Sequence, residues 1–443
     1  MRTLKSKKKK IFIITPSLSP CGGAEKIALN YFHRLNMEDS NFDCLLFSCF
    51  PSVDGISIDP NDIKFTSKIK QLYTNYYLLI DWIKKTKKKI KDQLKITTVN
   101  RYDKNKIEVD YRNIKSNIEF NESTTFKLLC YIKSFFIIPY LIFKQPHIIH
   151  IHTQHCLSFI TISKIFKIKK ILLTIHCELE RLDKHSKKRL IKILKFVDIF
   201  YAVNSKIAKD IQEIIIQHGY KTTTVLLHNL IELSSDNLPS SLNMNGIGNN
   251  LKNTTSTIIS SISSTTTLYI GTVTKYGKVK GLIFLIDAIS IAVNNKIPVK
   301  LIIAGEEEQD NYFLSEIKRL NIRENVFFFG KYNSQKELLN FTSKYDVFCL
   351  PSLSESFSIS LLEAISFAKP AIITDLLGPK EMVTNEYNGF IVPKGNAIEI
   401  AKKFEYFHRN RDSLVRMGEN AKQLYKKKFN NDEIFKQYKS TLF

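Results

Sequence analysis

The sequence predicts an α/β protein of two doubly wound lobes facing a central cleft. Short β-rich apolar runs alternate with stretches of helical period through most of the 443 residues. That pattern belongs to parallel strands joined by crossover helices. The alternation breaks at residues 234–267, where Ser, Thr and Asn make up 21 of 34 positions. Such a composition cannot bury a core and reads as a linker or long surface loop. A chain of this length also exceeds one ordinary core, so the break separates two lobes.

In the first lobe, residues 1–235, the strands read IFIITPS (11–17), FDCLLFSCF (42–50), HIIHIHT (147–153), KILLTIH (170–176), IFYAVN (199–204) and TTVLLHN (223–229). Helical patterns lie between them, as in residues 24–35 and 205–217. Residues 54–125 fit neither period and read as a charged insertion. After the polar stretch of 236–267 the second lobe, 268–415, restarts with LYIGTVT (268–274), VKLIIAGE (299–306), NVFFFGKY (325–332), DVFCLPS (346–352), PAIITD (370–375) and GFIVP (389–393). Residues 416–443 read as C-terminal helices returning to the first lobe. Ligands of open parallel sheets sit outside the carboxyl ends of the strands, so the facing edges define the expected cleft.

The net charge is +24, and residues 1–235 carry +19 of it, 40 Lys and Arg against 21 Asp and Glu. The first lobe is therefore expected to meet something anionic: a phospholipid surface, a phosphorylated substrate or nucleic acid. The densest run, DWIKKTKKKIKDQLK (81–95), reads either as a membrane-surface segment or as a solvated helix. Residues 128–143 are apolar but only sixteen long and contain Lys133 and Pro139, too short to span a bilayer. The apolar run before Pro16 is too short for a secretory signal. None of the seven cysteines forms a CxxC pair, and they read as free thiols of a reducing compartment.

The candidate chemistry centres on CLPSLSESFSISLLEAIS (349–366). A strand ends at Pro351 and a helix begins near Ser358. Glu355 therefore falls in the strand-to-helix loop and Glu363 on the helix. Free amides and the positive dipole of a helix start suit a phosphate, while carboxylates suit sugar hydroxyls. The plain alternative is a capping box, with Glu363 reaching back to Ser360. Two further loops meet the same sheet edge: DLLGPKEMV (375–383), with Gly378 and Lys380, and IGTVTKYGKVKGL (270–282), with Lys275, Lys278 and Lys280. Glycines admit close backbone approach and lysines meet phosphate charge. Together the three loops read as a nucleotide-sugar pocket. His150 and His152 share a strand face, but no further ligands accompany them, and no metal is expected.

DVFCLPSLSESFSISLLEAISFAKPAIITDLLGPKEMV resembles the E-x7-E region of glycosyltransferase family 4, retaining enzymes of glycosyltransferase-B fold with two Rossmann-like domains facing a central cleft. YIGTVT, KLIIAGE, NVFFFGKY and NGFIVP agree in order, and PCGGAEKIALNYFHRL, PHIIHIHTQH and LLTIHCE are similar to the family's first domain. The resemblance implies that Glu355 contacts the donor sugar and Glu363 the ribose. Lys280 would bind the diphosphate, with amides near Phe357 and Gly378. Gly23 would face the phosphates and acceptor, and His176 would be a cleft histidine.

There are departures: Thr272 stands where the family usually has arginine, Ser356 where it has glycine, and GEEEQ (305–309) lacks a second glycine. Lys275 or Lys278 could substitute for the arginine. The implied activity is retaining transfer of a sugar from a nucleoside diphosphate donor, a UDP-sugar, to a glycan or lipid-linked glycan, without a cofactor. The expected setting is the cytoplasmic face of an anionic membrane. A non-catalytic nucleotide-sugar-binding protein, an epimerase of the same fold and a nucleic-acid-binding protein are the rivals. No nucleic-acid-binding motif is evident, so nucleic acid is not an expected partner.

Overall fold

In a computed structural model the structure describes residues 9–17, 23–38, 42–50, 145–152, 157–231, 267–274, 278–305, 312–332 and 334–443. The expected insertion, the basic run 81–95, the apolar segment 128–143 and Lys275 lie outside the described residues, as does nearly all of the polar stretch.

The first lobe is a parallel sheet of β1 (Lys9–Ser17), β2 (Phe42–Phe50), β3 (Ile148–His152), β4 (Lys170–Ile175), β5 (Ile199–Ala202) and β6 (Thr223–Leu226), in the order β2-β1-β3-β4-β5-β6. Ile11, Phe12, Ile13 and Ile14 are all buried. A strand covered by helices on both faces must be apolar at every position, which explains the unbroken hydrophobic run. The helices are α1 (Gly23–Glu38), α2 (Ser158–Ile165), α3 (Lys184–Leu194) and α4 (Ser205–His218). Right-handed crossovers put α2, α3 and α4 on one face and α1, which joins strands running the other way across the sheet, on the opposite face. Asn204 caps α4 by accepting the Ile207 N–H at 2.8 Å.

The second lobe comprises β7 (Leu268–Thr274), β8 (Val299–Gly305), β9 (Val326–Gly330), β10 (Val347–Leu350), β11 (Ala371–Thr374) and β12 (Gly389–Val392). The order is β12-β11-β10-β7-β8-β9, with every pair parallel. Sequence order reverses between β7 and β10, a topological switch point where a crevice opens at the carboxyl edge. Its helices are α5 (Leu282–Asn294), α6 (Tyr312–Arg319), α7 (Gln335–Thr342), α8 (Ile359–Ser366), α9 (Leu377–Lys380), α10 (Ala397–Arg409), α11 (Asp412–Lys428) and α12 (Asn431–Ser440).

One apolar cluster, holding Phe200, Ile231, Phe357, Leu361 and Phe429, runs through both lobes. Helix α11 packs on α8. The return to the first lobe is made by α12: the Tyr438 hydroxyl meets His150 Nδ1 at 2.9 Å, and Arg34 Nη2 meets Asp432 Oδ1 at 2.6 Å. Among the described residues no helix is long and apolar enough to cross a membrane.

Candidate active site

Leu350 ends β10, and the chain turns through Pro351–Phe357 into α8. The cap of that helix is Ser358, whose Oγ accepts the Leu361 N–H at 3.2 Å. Glu363 therefore lies two residues beyond the position a capping box would use, and the Ser360–Glu363 box does not form. Its carboxylate instead meets side chains from other elements. Oε1 accepts from Lys26 Nζ at 2.5 Å and Oε2 from the Tyr332 hydroxyl at 2.7 Å, at only 3% exposure. Burial and the nearby Glu363 carboxylate push the Tyr332 hydroxyl well above its ordinary pKa.

Lys280 and Glu355 meet 2.6 Å apart, from the loops after β7 and β10. Two backbone contacts lock these loops together across the switch point. Leu353 N–H donates to Val279 O at 2.8 Å, and Gly281, at φ +66°, approaches Pro351 so closely that a Cβ would lie 2.0 Å from its carbonyl oxygen. Gly378 completes the cradle: a Cβ there would stand 1.9 Å from Ser356 O. Only glycine fits either place. The sequence expected a ligand to come close at Gly378; the close approach seen is to the Ser356 backbone.

Other expected residues sit differently. Thr272 is inside β7, opposite Ile303 and buried, because the strand continues in register with β8 through Thr274. It is not in the loop. Lys380 is exposed and its Nζ donates to Asp375 Oδ1 at 2.8 Å, so its charge is engaged beside its own strand. Lys278 opens the 3-10 turn Lys278–Lys280. The Phe357 ring is buried, 5.9 Å from the His228 ring and 6.1 Å from that of Phe429.

The first lobe supplies the opposite wall. Gly23 is the first residue of α1. His176, directly after β4, is half-buried, and its Nε2 lies 3.2 Å from His152 Nδ1 with the rings stacked. Burial pushes the His176 ring down to about 4. Two residues on, Glu178 N–H donates to Ser356 Oγ at 3.1 Å, while Asn204 Nδ2 donates to Ser356 O at 2.6 Å. Ser205 N–H adds a bond to Glu381 Oε1 at 2.6 Å. Ser356, in the place where a glycine is usual, thus becomes a tie between the lobes.

Residues 256–424 match the family model "Glycosyl transferases group 1". The chain is 28% identical over 177 residues to N-acetyl-alpha-D-glucosaminyl L-malate synthase of Bacillus anthracis. It is 29% identical over 178 residues to the capsular polysaccharide biosynthesis glycosyltransferase CapM of Staphylococcus aureus. Each alignment covers 39% of this chain, and the chain spans 44% of the length of each of these relatives. The structure of Anabaena Alr3699/HepE in complex with UDP-glucose has the same fold, with a TM-score of 0.63 at 16% identity, over 98% of this chain and 99% of that one.

The stretch that matches this family model holds Glu355, Glu363, Lys280 and Gly378 along one sheet edge, with the two carboxylates taken by different lysines. Three participants, Lys26, Tyr332 and Asn204, were not singled out from the sequence, and His152 was weighed there only as a metal ligand. Lys26 and Tyr332 bind Glu363, His152 binds His176, and Asn204 binds Ser356. Lys26 lies three residues beyond Gly23 and Tyr332 ends a recognised strand motif, but neither spacing says which acid it will meet. Among the described residues no group of three or more His, Cys, Asp or Glu could hold a metal ion.

Proposed function

We propose that the cleft binds a UDP-sugar and transfers its sugar, with retention at the anomeric carbon, to a hydroxyl of a glycan or lipid-linked glycan in surface polysaccharide synthesis. The observation that carries this reading is the Lys280–Glu355 pair at the switch point. A cation and a carboxylate stand side by side where a diphosphate and its sugar would meet the sheet edge. Lys280 takes the growing charge of the leaving diphosphate, helped by amides of the Phe357 and Gly378 loops. Glu355 accepts hydrogen bonds from the donor sugar and Glu363 from the ribose. Gly23 leaves room for phosphate and acceptor, and His176 lines the acceptor-side wall. The UDP-glucose complex of the Anabaena protein and the capsular role named for the staphylococcal relative support the choice of donor and pathway class.

The acceptor side is the basic lobe. Helix α3 buries Leu190, Ile193 and Leu194 and exposes Lys184, Lys187, Lys188 and Lys192, with Lys195 at its end. That face suits an anionic bilayer surface, supporting a peripheral position at the inner membrane face for a lipid-linked acceptor.

Thermal stabilisation and UDP release across a panel of nucleotide sugars test the reading. The expected result is stabilisation by UDP-sugars and turnover that Lys280→Ala and Glu355→Ala remove. Near-normal turnover in both variants would refute the assignment. One observation favours a second reading. The buried Thr272 offers no bidentate cation where the family usually has one. Binding without turnover in the same panel identifies a nucleotide-sugar-binding protein instead.

A further inference from the structure

We infer that His152 is a positioning residue: by donating from Nδ1 to His176 Nε2 it holds His176 as the Nδ1–H tautomer, so the ring presents a hydrogen-bond donor to the cleft. The inference deepens the nucleotide-sugar reading and rests on it for the identity of what His176 meets. The tautomer itself does not depend on that reading.

His152 ends β3 in register with Thr174, and His176 follows β4 directly, so the two rings stack side by side at the carboxyl edge. Their centroids are 5.5 Å apart at an interplanar angle of 12°, with His152 Nδ1 and His176 Nε2 at 3.2 Å. Two neutral imidazoles in this contact share one proton, and either ring can supply it. Burial pushes His176 down to about 4 and His152 well below its ordinary value, so neither ring takes a second proton near neutrality.

The other nitrogen of His152 decides between the two arrangements. His152 Nε2 is fully buried and has no hydrogen-bond partner among the described residues. If His176 supplied the proton, His152 would carry its own on Nε2, stranding a buried N–H. If His152 supplies it from Nδ1, only an unused lone pair remains at Nε2. Orphaned buried N–H donors are rarer in folded proteins than under-used acceptors. The second arrangement wins, and it leaves the proton of His176 on Nδ1.

The packing around His152 keeps it there. The His150 ring lies 4.1 Å away, fixed by Tyr438 at 2.9 Å and Thr174 at 2.8 Å, and Tyr31 covers both histidines at 6.0 and 6.2 Å. His176 stands two residues before the Glu178–Ser356 tie to the second lobe. Held with Nε2 occupied, His176 is not a free base toward the cleft. It donates to an oxygen, such as a sugar hydroxyl.

Two-bond proton–nitrogen spectra of the full-length protein, labelled with nitrogen-15 histidine and assigned with a His176→Gln variant, read the tautomer directly. The expected result is a pyrrole-like Nδ1 and a pyridine-like Nε2 for His176. His152→Asn keeps an amide donor near the position of Nδ1 and should preserve that pattern. His152→Asp can only accept there, so the pyrrole-like resonance should move to Nε2. A wild-type His176 protonated on Nε2, or a tautomer indifferent to both substitutions, overturns the inference. Thermal melts confirm that the variants are folded. Because the spectra are recorded without any sugar nucleotide, failure here is distinct from failure of the donor panel.

Discussion

Lys26 and Glu363 tie the two lobes together, one on α1 and the other on α8, with Nζ and Oε1 2.5 Å apart and the residues 337 positions apart in sequence. The Glu363 side chain is only 4% exposed and that of Lys26 35%. Removing the cation alone leaves a carboxylate in a nearly dry site, with Tyr332 as its remaining partner. Lys26→Met should therefore cost about 1–3 kcal/mol, below the fully buried extreme because Lys26 is partly solvated. Adding Glu363→Gln removes the stranded charge while the amide oxygen still accepts from Tyr332. The double variant should be more stable than Lys26→Met. Denaturant midpoints of the four proteins check this, and strict additivity would show that the pair is not coupled.

Lys280 and Glu355 act as a unit in the proposed chemistry. Each alanine variant should lower turnover by about 100- to 1,000-fold, the scale of losing one group that stabilises developing charge. The double variant should be little worse than either single one, because groups that work together are not additive. Steady-state rates with the preferred donor, alongside unchanged melting curves, are the measurement.

Gly378 tests the cradle separately from its charges. A Cβ 1.9 Å from Ser356 O forces α9 away from the Glu355–Ser356 loop. Gly378→Ala should destabilise by about 1–3 kcal/mol, as overpacking does. It should also weaken UDP binding, measured by calorimetry. Unchanged affinity would separate this loop from the nucleotide.

Two histidines shielded from solvent, His150 fully and His176 in part, set an acid limit. Burial lowers His150 to about 3 and His176 to about 4 from an ordinary 6.5, and Thr174 and Tyr438 hold His150 in place. Between pH 6.5 and 4 the unfolded chain binds protons that the folded chain does not, so stability falls as pH falls. Each ring contributes up to about 1.4 kcal/mol per pH unit in that window. Denaturant midpoints from pH 7.5 to 4.5 should be flat at the upper end and then drop. A midpoint that rises on acidification contradicts the burial.

The basic face of α3 predicts salt-sensitive binding to anionic vesicles. Each lysine near such a surface is worth about 1 kcal/mol. Co-sedimentation with phosphatidylglycerol vesicles should be strong at low salt and weaken as the salt is raised through physiological strength. The triple variant K187E, K188E, K192E should abolish it. No sedimentation at low salt removes the proposed surface.

The residues by themselves determined the two-lobed α/β architecture and the sheet edge at which the candidate residues gather. A parallel strand covered on both faces needs an unbroken apolar run, and Ile11–Ile14 and Val347–Leu350 supply such runs. Glycines at 281 and 378, and a helix opening at Ser358, are local demands that local sequence can meet. Tertiary structure alone decided whom the polar atoms meet. Thr272 disappears into the sheet because β8 pairs along it, and Lys380 is held by Asp375. Glu363 turns from a capping role to Lys26 and Tyr332, and His176 meets His152 rather than open solvent. A hydrogen bond acts over about 3 Å, whereas sequence periodicity reports only which face a residue occupies. Once partners come from other strands or the other lobe, their identity depends on how strands order and lobes dock, and no spacing in the chain encodes that.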